Sequence, residues 1–156
     1  MRRKRKYKRE YQPDIQYNSV AVARFINHLM RKGKKSIAEK IMYQALDLIA
    51  KKTKQENPLV IFEKAIENTS PLMEVVSRRI GGANYQVPRE VRQDRRFFLA
   101  TEWIIKAARV KKGKPMAEKL AEELMAASKN EGAAIKKKQD IHRMAEANRA
   151  FAHFAW

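Results

Sequence analysis

From Val20 onward the chain keeps a helical apolar rhythm and breaks it once, between residues 72 and 88. That single break sets the kind of fold available. Val22, Phe25, Ile26, Leu29 and Met30 share one face of a first helix, and Gly33 stops it. Ser36 and Glu39 form an S-x-x-E capping pattern ahead of a second helix with the stripe Ile37, Ile41, Ala45, Leu48 and Ile49. Asn57 before Pro58 predicts the start of a third helix, with Leu59, Phe62 and Ile66 facing inward. Pro71 ends it, because the residue before a proline disfavours the helical region.

Inside the break, Val75 and Val76 are β-branched, Gly81-Gly82 is a turn signal, and Tyr85-Gln86-Val87 follows. The segment 72–88 therefore predicts a β-hairpin, with Pro88 closing a strand end or edge. A fourth helix is expected from Glu90 or Val91, lined by Phe97, Ala100, Ile104, Ala107 and Ala108. Gly113 and Pro115 separate it from a fifth, with the stripe Ala117, Leu120, Ala121, Leu124 and Ala127. After Gly132 a last, weakly apolar helix runs to about Phe151, carrying Ile135, Ile141, Met144 and Ala145. The expected fold is mostly α: one domain of about six helices, residues 19–156, with a protruding β-hairpin between the third and fourth helices. Residues 1–18 lack apolar periodicity and read as a basic extended arm, disordered alone.

Charge then narrows the function. The 35 Lys and Arg against 17 Asp and Glu leave a net charge of +18. An excess of this size repels itself in a compact chain unless a polyanion neutralises it. Arg2, Arg3, Lys4, Arg5, Lys6, Lys8 and Arg9 account for only part of it, so the body is basic as well as the arm. The basic start is not followed by the apolar core of a secretion signal. No run approaches the ~18 apolar residues of a membrane span. The helices have apolar faces narrow enough to be core, so no membrane partner is expected. Without cysteine, disulfides, iron–sulfur clusters and thiol nucleophiles are excluded.

Nothing has a catalytic pattern. His28, His142 and His153 are far apart, and there is no H-E-x-x-H, P-loop or G-x-S-x-G. No enzyme activity, cofactor or metal is expected. Glu122-Glu123 reads as a solvated helix face, and His142 beside Arg143 as structural or RNA-facing. In SRRIGGANYQVP, Arg78 and Arg79 precede the double glycine and Tyr85 follows it. Arginine offers a planar fork to phosphate, glycine permits close backbone approach, and Tyr85 suits stacking on a base or ribose. The plainer reading is a solvated hairpin, and the overall charge tips the choice toward nucleic acid. Arg89, Arg92, Arg95 and Arg96 crowd the start of the fourth helix against Glu90 and Asp94, where positive charge opposes the helix dipole unless an anion binds. Lys136, Lys137 and Lys138 carry less weight, since adjacent lysines fan around a helix. Phe97, Phe98 and Trp103 read as core. Phe151, Phe154 and Trp156 either dock on the domain or lie on RNA or a neighbouring protein.

Four stretches resemble one family, the bacterial small-subunit ribosomal protein seven family: Phe25 to Ile41, Asn57 to Pro71, Ser77 to Arg92 and His142 to Trp156. Val76 stands where many members have arginine, and the tail ends Phe-Ala-Trp rather than aromatic-Arg-Trp. The resemblance implies a ribosomal-RNA binder that nucleates assembly of the small-subunit head around a multi-helix junction, in the cytoplasmic ribosome. It implies a place at the subunit interface, with exit-site transfer RNA and messenger RNA nearby and small-subunit ribosomal proteins nine and eleven as neighbours. On this basis Arg2, Arg3, Lys4, Arg5, Lys6, Lys34, Lys35, Arg92, Arg95 and Arg96 would grip ribosomal RNA, with Lys136, Lys137 and Arg143 as further contacts. Arg78, Arg79, Gly81, Gly82, Asn84 and Tyr85 would face the exit-site transfer RNA and RNA. A DNA-binding or nucleoid regulator is the alternative, although neither a recognition helix nor a dimer seam is evident.

Overall fold

A computed structural model describes residues 11–54 and 57–154. Its elements run α1 (Val20–Leu29), α2 (Lys35–Thr53), α3 (Pro58–Thr69), β1 (Met73–Ile80), β2 (Ala83–Glu90), α4 (Gln93–Val110), α5 (Met116–Ser128) and α6 (Ala133–Ala147), then a 3-10 helix, Arg149–Phe154. The mostly helical fold with a hairpin between α3 and α4 is thus borne out. Helix α5 lies at the centre, packing on α2, α3, α4 and α6. Its expected stripe of Ala117, Leu120, Ala121, Leu124 and Ala127 is buried throughout. Phe25 and Phe62 meet edge to face at 5.4 Å in the same core.

Local chemistry explains several boundaries. The Asn57 side chain accepts the Leu59 N–H at 3.0 Å, with Pro58 at the first helical position. Gly81 and Gly82 take φ of +58° and +91°, the two positive angles that a tight hairpin turn requires. That turn sets an antiparallel register pairing Met73 with Glu90, Val75 with Pro88 and Arg79 with Asn84. Gly132, at φ +98°, is fixed by proximity as well: a Cβ there would sit 2.9 Å from Glu123 Oε1.

Other boundaries and faces differ from the sequence reading. Helix α1 ends at Leu29, and Gly33 instead sits in the turn before α2 at φ +74°. The S-x-x-E pattern makes no capping box: α2 already begins at Lys35, with no side-chain cap, and Lys35 pairs with Glu39 at 3.7 Å. The α2 face that buries is Ala38, Met42, Ala45, Leu46 and Ile49, while Ile37 is 52% exposed. Proline 88 does not close the ribbon, which runs on to Glu90 and delays α4 to Gln93. A two-stranded ribbon has a free edge on each strand, where a proline's missing N–H is tolerated. The last helix stops at Ala147 and the chain turns into the 3-10 helix, which packs on β2. Glu123 is not on a solvated face: it is 1% exposed, paired with Lys111 at 2.8 Å.

Residues 11–18, which carry no apolar rhythm, are tied to the helical body. Buried Asp14 accepts the N–H groups of Gln16 and Tyr17 and the Tyr43 hydroxyl, the last at 2.7 Å.

Candidate nucleic-acid interface

The ribbon presents its residues in a fixed order. Arg78 lies opposite Tyr85 and Arg79 opposite Asn84, with Gly81 and Gly82 exposed at the tip. Strand alternation directs Arg78 and Arg79 to opposite faces of the ribbon. The Tyr85 ring is engaged by the protein itself, with centroids 5.3 Å from Phe151 and 5.6 Å from Phe154. Two of the tail aromatics therefore dock on the ribbon, while Trp156 lies outside the described residues.

At the base of the ribbon, arginines collect around one carboxylate. Glu74 is 7% exposed and lies opposite Arg89. Its Oε1 accepts Arg89 Nε at 2.9 Å and Nη2 at 2.6 Å. Its Oε2 accepts Arg95 Nε at 3.4 Å. These residues, with Val76, Arg78, Val87, Glu90 and Arg92, line a concavity of about 490 Å³ between the ribbon and the start of α4. The acid that offsets the helix-start arginines is thus Glu74. Asp94 pairs with Arg24 at 3.6 Å, and Arg96 donates to the Val91 carbonyl at 2.9 Å. Arg95 also lies 5.0 Å from the centre of the Phe98 ring, a cation–π contact that restricts the guanidinium. Trp103 is core and Phe98 packs against the core. Phe97 instead supports Arg24, at 4.4 Å, and Tyr11 lies on the same guanidinium at 5.2 Å.

The remaining basic candidates fall elsewhere. Lys34 and Lys35 are exposed at the α1–α2 turn. Lys34 lines a second hollow with Arg31, Arg109, Ile37 and Met116, which shares no residue with the arginine concavity. Burial, and then the charge of Arg31, lowers the Arg109 pKa, and Arg109 donates to the Leu29 carbonyl at 3.3 Å. On α6, Lys136, Lys137 and Arg143 are exposed, and Lys137 shares a third hollow with Arg95. Lys138 turns inward to the Asn68 carbonyl at 2.6 Å, and burial lowers its pKa. The His142 Nε2 accepts the Leu72 N–H at 3.2 Å, a structural role. Burial, then Lys138, lowers the His142 pKa. Arg2, Arg3, Lys4, Arg5, Lys6, Lys8 and Arg9 lie outside the described residues.

Sequence reasoning missed Glu74, although a signal was present. Counting back from the Gly81-Gly82 turn sets Glu74 against Arg89. Among the described residues no cluster of three or more His, Asp or Glu is placed to hold a metal ion, and no helix is long and apolar enough to cross a membrane.

Comparison with known proteins places the chain among ribosomal proteins. The family model described as "Ribosomal protein S7p/S5e" matches residues 1–149, and the chain belongs to that family. It is 58% identical over 156 residues, all of both chains, to the "Small ribosomal subunit protein uS7" of Thermotoga maritima. The protein of that name from Desulfotalea psychrophila is 57% identical over 155 residues, 99% of each chain. That of Chloroflexus aggregans is 58% identical over 147 residues, 94% of this chain and 93% of its own. The resemblance carried by the four sequence stretches is therefore borne out.

Proposed function

We propose that this protein is a non-catalytic, RNA-binding constituent of the small ribosomal subunit, working in the cytoplasm, and that it binds ribosomal RNA early enough to nucleate assembly of the head. The observation that carries this reading is the arginine concavity where ribbon and α4 meet. There Arg78, Arg89, Arg92 and Arg95 surround a single buried carboxylate, Glu74. A rigid basic hollow favours an RNA backbone held in a particular shape, with base contacts left to unpaired nucleotides.

Family membership and the basic surfaces on three different elements support binding to several RNA helices at once. Lys34 and Lys35 at the α1–α2 turn, Arg92 and Arg95 at α4, and Lys136, Lys137 and Arg143 on α6 would each take a separate stretch of backbone. The arm from Arg2 to Lys6 would add phosphate contacts on binding. The ribbon tip, Arg79 to Asn84, and the adjoining tail would face exit-site transfer RNA and messenger RNA, with small-subunit proteins nine and eleven as neighbours.

The test is competition between a three-prime major-domain RNA fragment and duplex DNA of equal length across a salt series. About six to ten phosphate contacts lower affinity by roughly 10³–10⁵ between ~50 and ~200 mM salt. Tight, salt-steep and fragment-selective binding is the expected result. Equal binding to both polyanions would reduce the charge to a generic one and favour a DNA-binding or nucleoid role.

A further inference from the structure

The geometry points to Glu74 as the residue that makes the arginine concavity selective, by holding Arg89 and Arg95 as fixed donors for the phosphates of a folded RNA. This rests on the RNA-binding reading above and adds to it a residue of the wrong charge for the ligand.

Three observations carry it. Glu74 is a buried acid in a chain of net charge +18, and it lines a hollow that four arginines also line. Its two oxygens are divided between two arginines, with both Arg89 contacts on Oε1 and the Arg95 contact on Oε2. Each arginine is occupied along one edge only. Among the described residues, Nη1 of Arg89 and both terminal nitrogens of Arg95 make no hydrogen bond, and both side chains are about half exposed, at 48% and 47%.

An unrestrained arginine samples many rotamers and reaches any nearby phosphate. Two such arginines give affinity for every polyanion. Held from behind by a carboxylate, they keep a fixed spacing, and the ordering is complete before RNA arrives. Only a backbone whose phosphates match that spacing gains both contacts. The carboxylate also weakens the local positive field that draws in duplex of any sequence. Glu74 is on this view a positioning residue, acting through Arg89 and Arg95.

The experiment measures affinity for the major-domain RNA fragment and for duplex DNA at fixed salt, and takes their ratio. The variants are E74Q, R89K and E63Q, the last an exposed acid on α3 outside the concavity. With E74Q, duplex binding should strengthen, fragment binding should not, and the ratio should fall about tenfold, the scale of one charged hydrogen bond. R89K keeps the charge and loses the fork, so the ratio should fall with no gain for duplex. E63Q makes the same charge change as E74Q and should leave the ratio where it was. If E74Q and E63Q move both probes alike, Glu74 is only a charge and the inference is overturned. If E74Q does not fold, R89K decides. A wild-type chain with no preference for the fragment would overturn the RNA-binding reading itself, an outcome visible before any variant is made.

Discussion

The Glu123 carboxylate, on α5, accepts the backbone N–H of Ala134 at 3.0 Å, so one helix caps the next. Helix α6 has no side-chain cap of its own, because its N-cap is Gly132. Without Glu123, the first turn of α6 loses a buried acceptor and Lys111 loses its counter-ion. Glu123→Ala should destabilise the fold by about 3 kcal/mol, the lower end for breaking a buried pair, because Lys111 can turn to water. A urea midpoint unchanged from wild type would show that the cap is dispensable.

His142 predicts a pH dependence. Its ring accepts a hydrogen bond from Leu72 N–H, and burial followed by the charge of Lys138 lowers its pKa from 6.5. A histidine held neutral in the fold favours folding above its unfolded pKa, and that contribution is lost as pH falls through the folded value. His28 is lowered in the same direction by burial and then by Arg24. Stability should therefore decline as pH falls below about 6.5. His142→Gln, which keeps an acceptor, should flatten part of that decline in urea midpoints taken from pH 7.5 to 5. An identical slope in the variant would remove His142 from the account.

What was legible in the sequence divides along chain distance. Asn57-Pro58 and Gly81-Gly82 act on their own backbone neighbours, so their meaning is local, and the structure places them as read. The α5 stripe was legible because that helix is surrounded and almost any apolar residue on it finds cover. Of the expected α2 stripe, Ala45 and Ile49 are buried and Ile41 and Leu48 pack against the core, but Ile37, which keeps the period, lies where the helix begins and is open to solvent. The candidate site shows the same division. The arginines at 89–96 were visible as a run, but their carboxylate is Glu74, on the other strand. Glu123 with Ala134 and Lys138 with Asn68 are likewise pairings that no periodicity reports.

The tail should govern the ribbon more than the core. Tyr85 rests against Phe151 and Phe154, and aromatic contacts of this kind contribute about 0.5–1.5 kcal/mol each. The 3-10 helix that carries them has no buried residue of its own. Replacing both phenylalanines by alanine should therefore speed amide exchange around Tyr85 about tenfold. The urea midpoint of the whole chain should hardly move. A large loss of global stability would instead make the tail part of the core.

Asp14 and Tyr43 fix the root of the arm. One carboxylate takes two backbone N–H groups from its own turn and the hydroxyl of a residue on α2. Tyr43 is raised to about 12, first by burial and then by its hydrogen bond to Asp14. A raised tyrosine stabilises the fold in full below its unfolded pKa of 10.0 and loses that contribution as pH climbs toward 12. Asp14→Ala should destabilise the chain by about 2 kcal/mol and open residues 11–18 to proteases. Tyr43→Phe should cost about 1 kcal/mol and remove part of the alkaline loss between pH 10 and 12, the remainder belonging to Tyr17, whose pKa burial and then Asp47 also raise. Limited proteolysis and alkaline unfolding read the two effects separately. Uncut residues 11–18 in the Asp14 variant would mean that Tyr11 on Arg24 holds the segment instead. The distinction bears on RNA binding. Arg24 pairs with Asp94 in the first turn of α4, so the root of the basic arm is held beside the helix that supplies Arg95 and Arg96. Loosening Asp14 should then weaken RNA binding through the arm while leaving the Glu74 concavity and its selectivity in place.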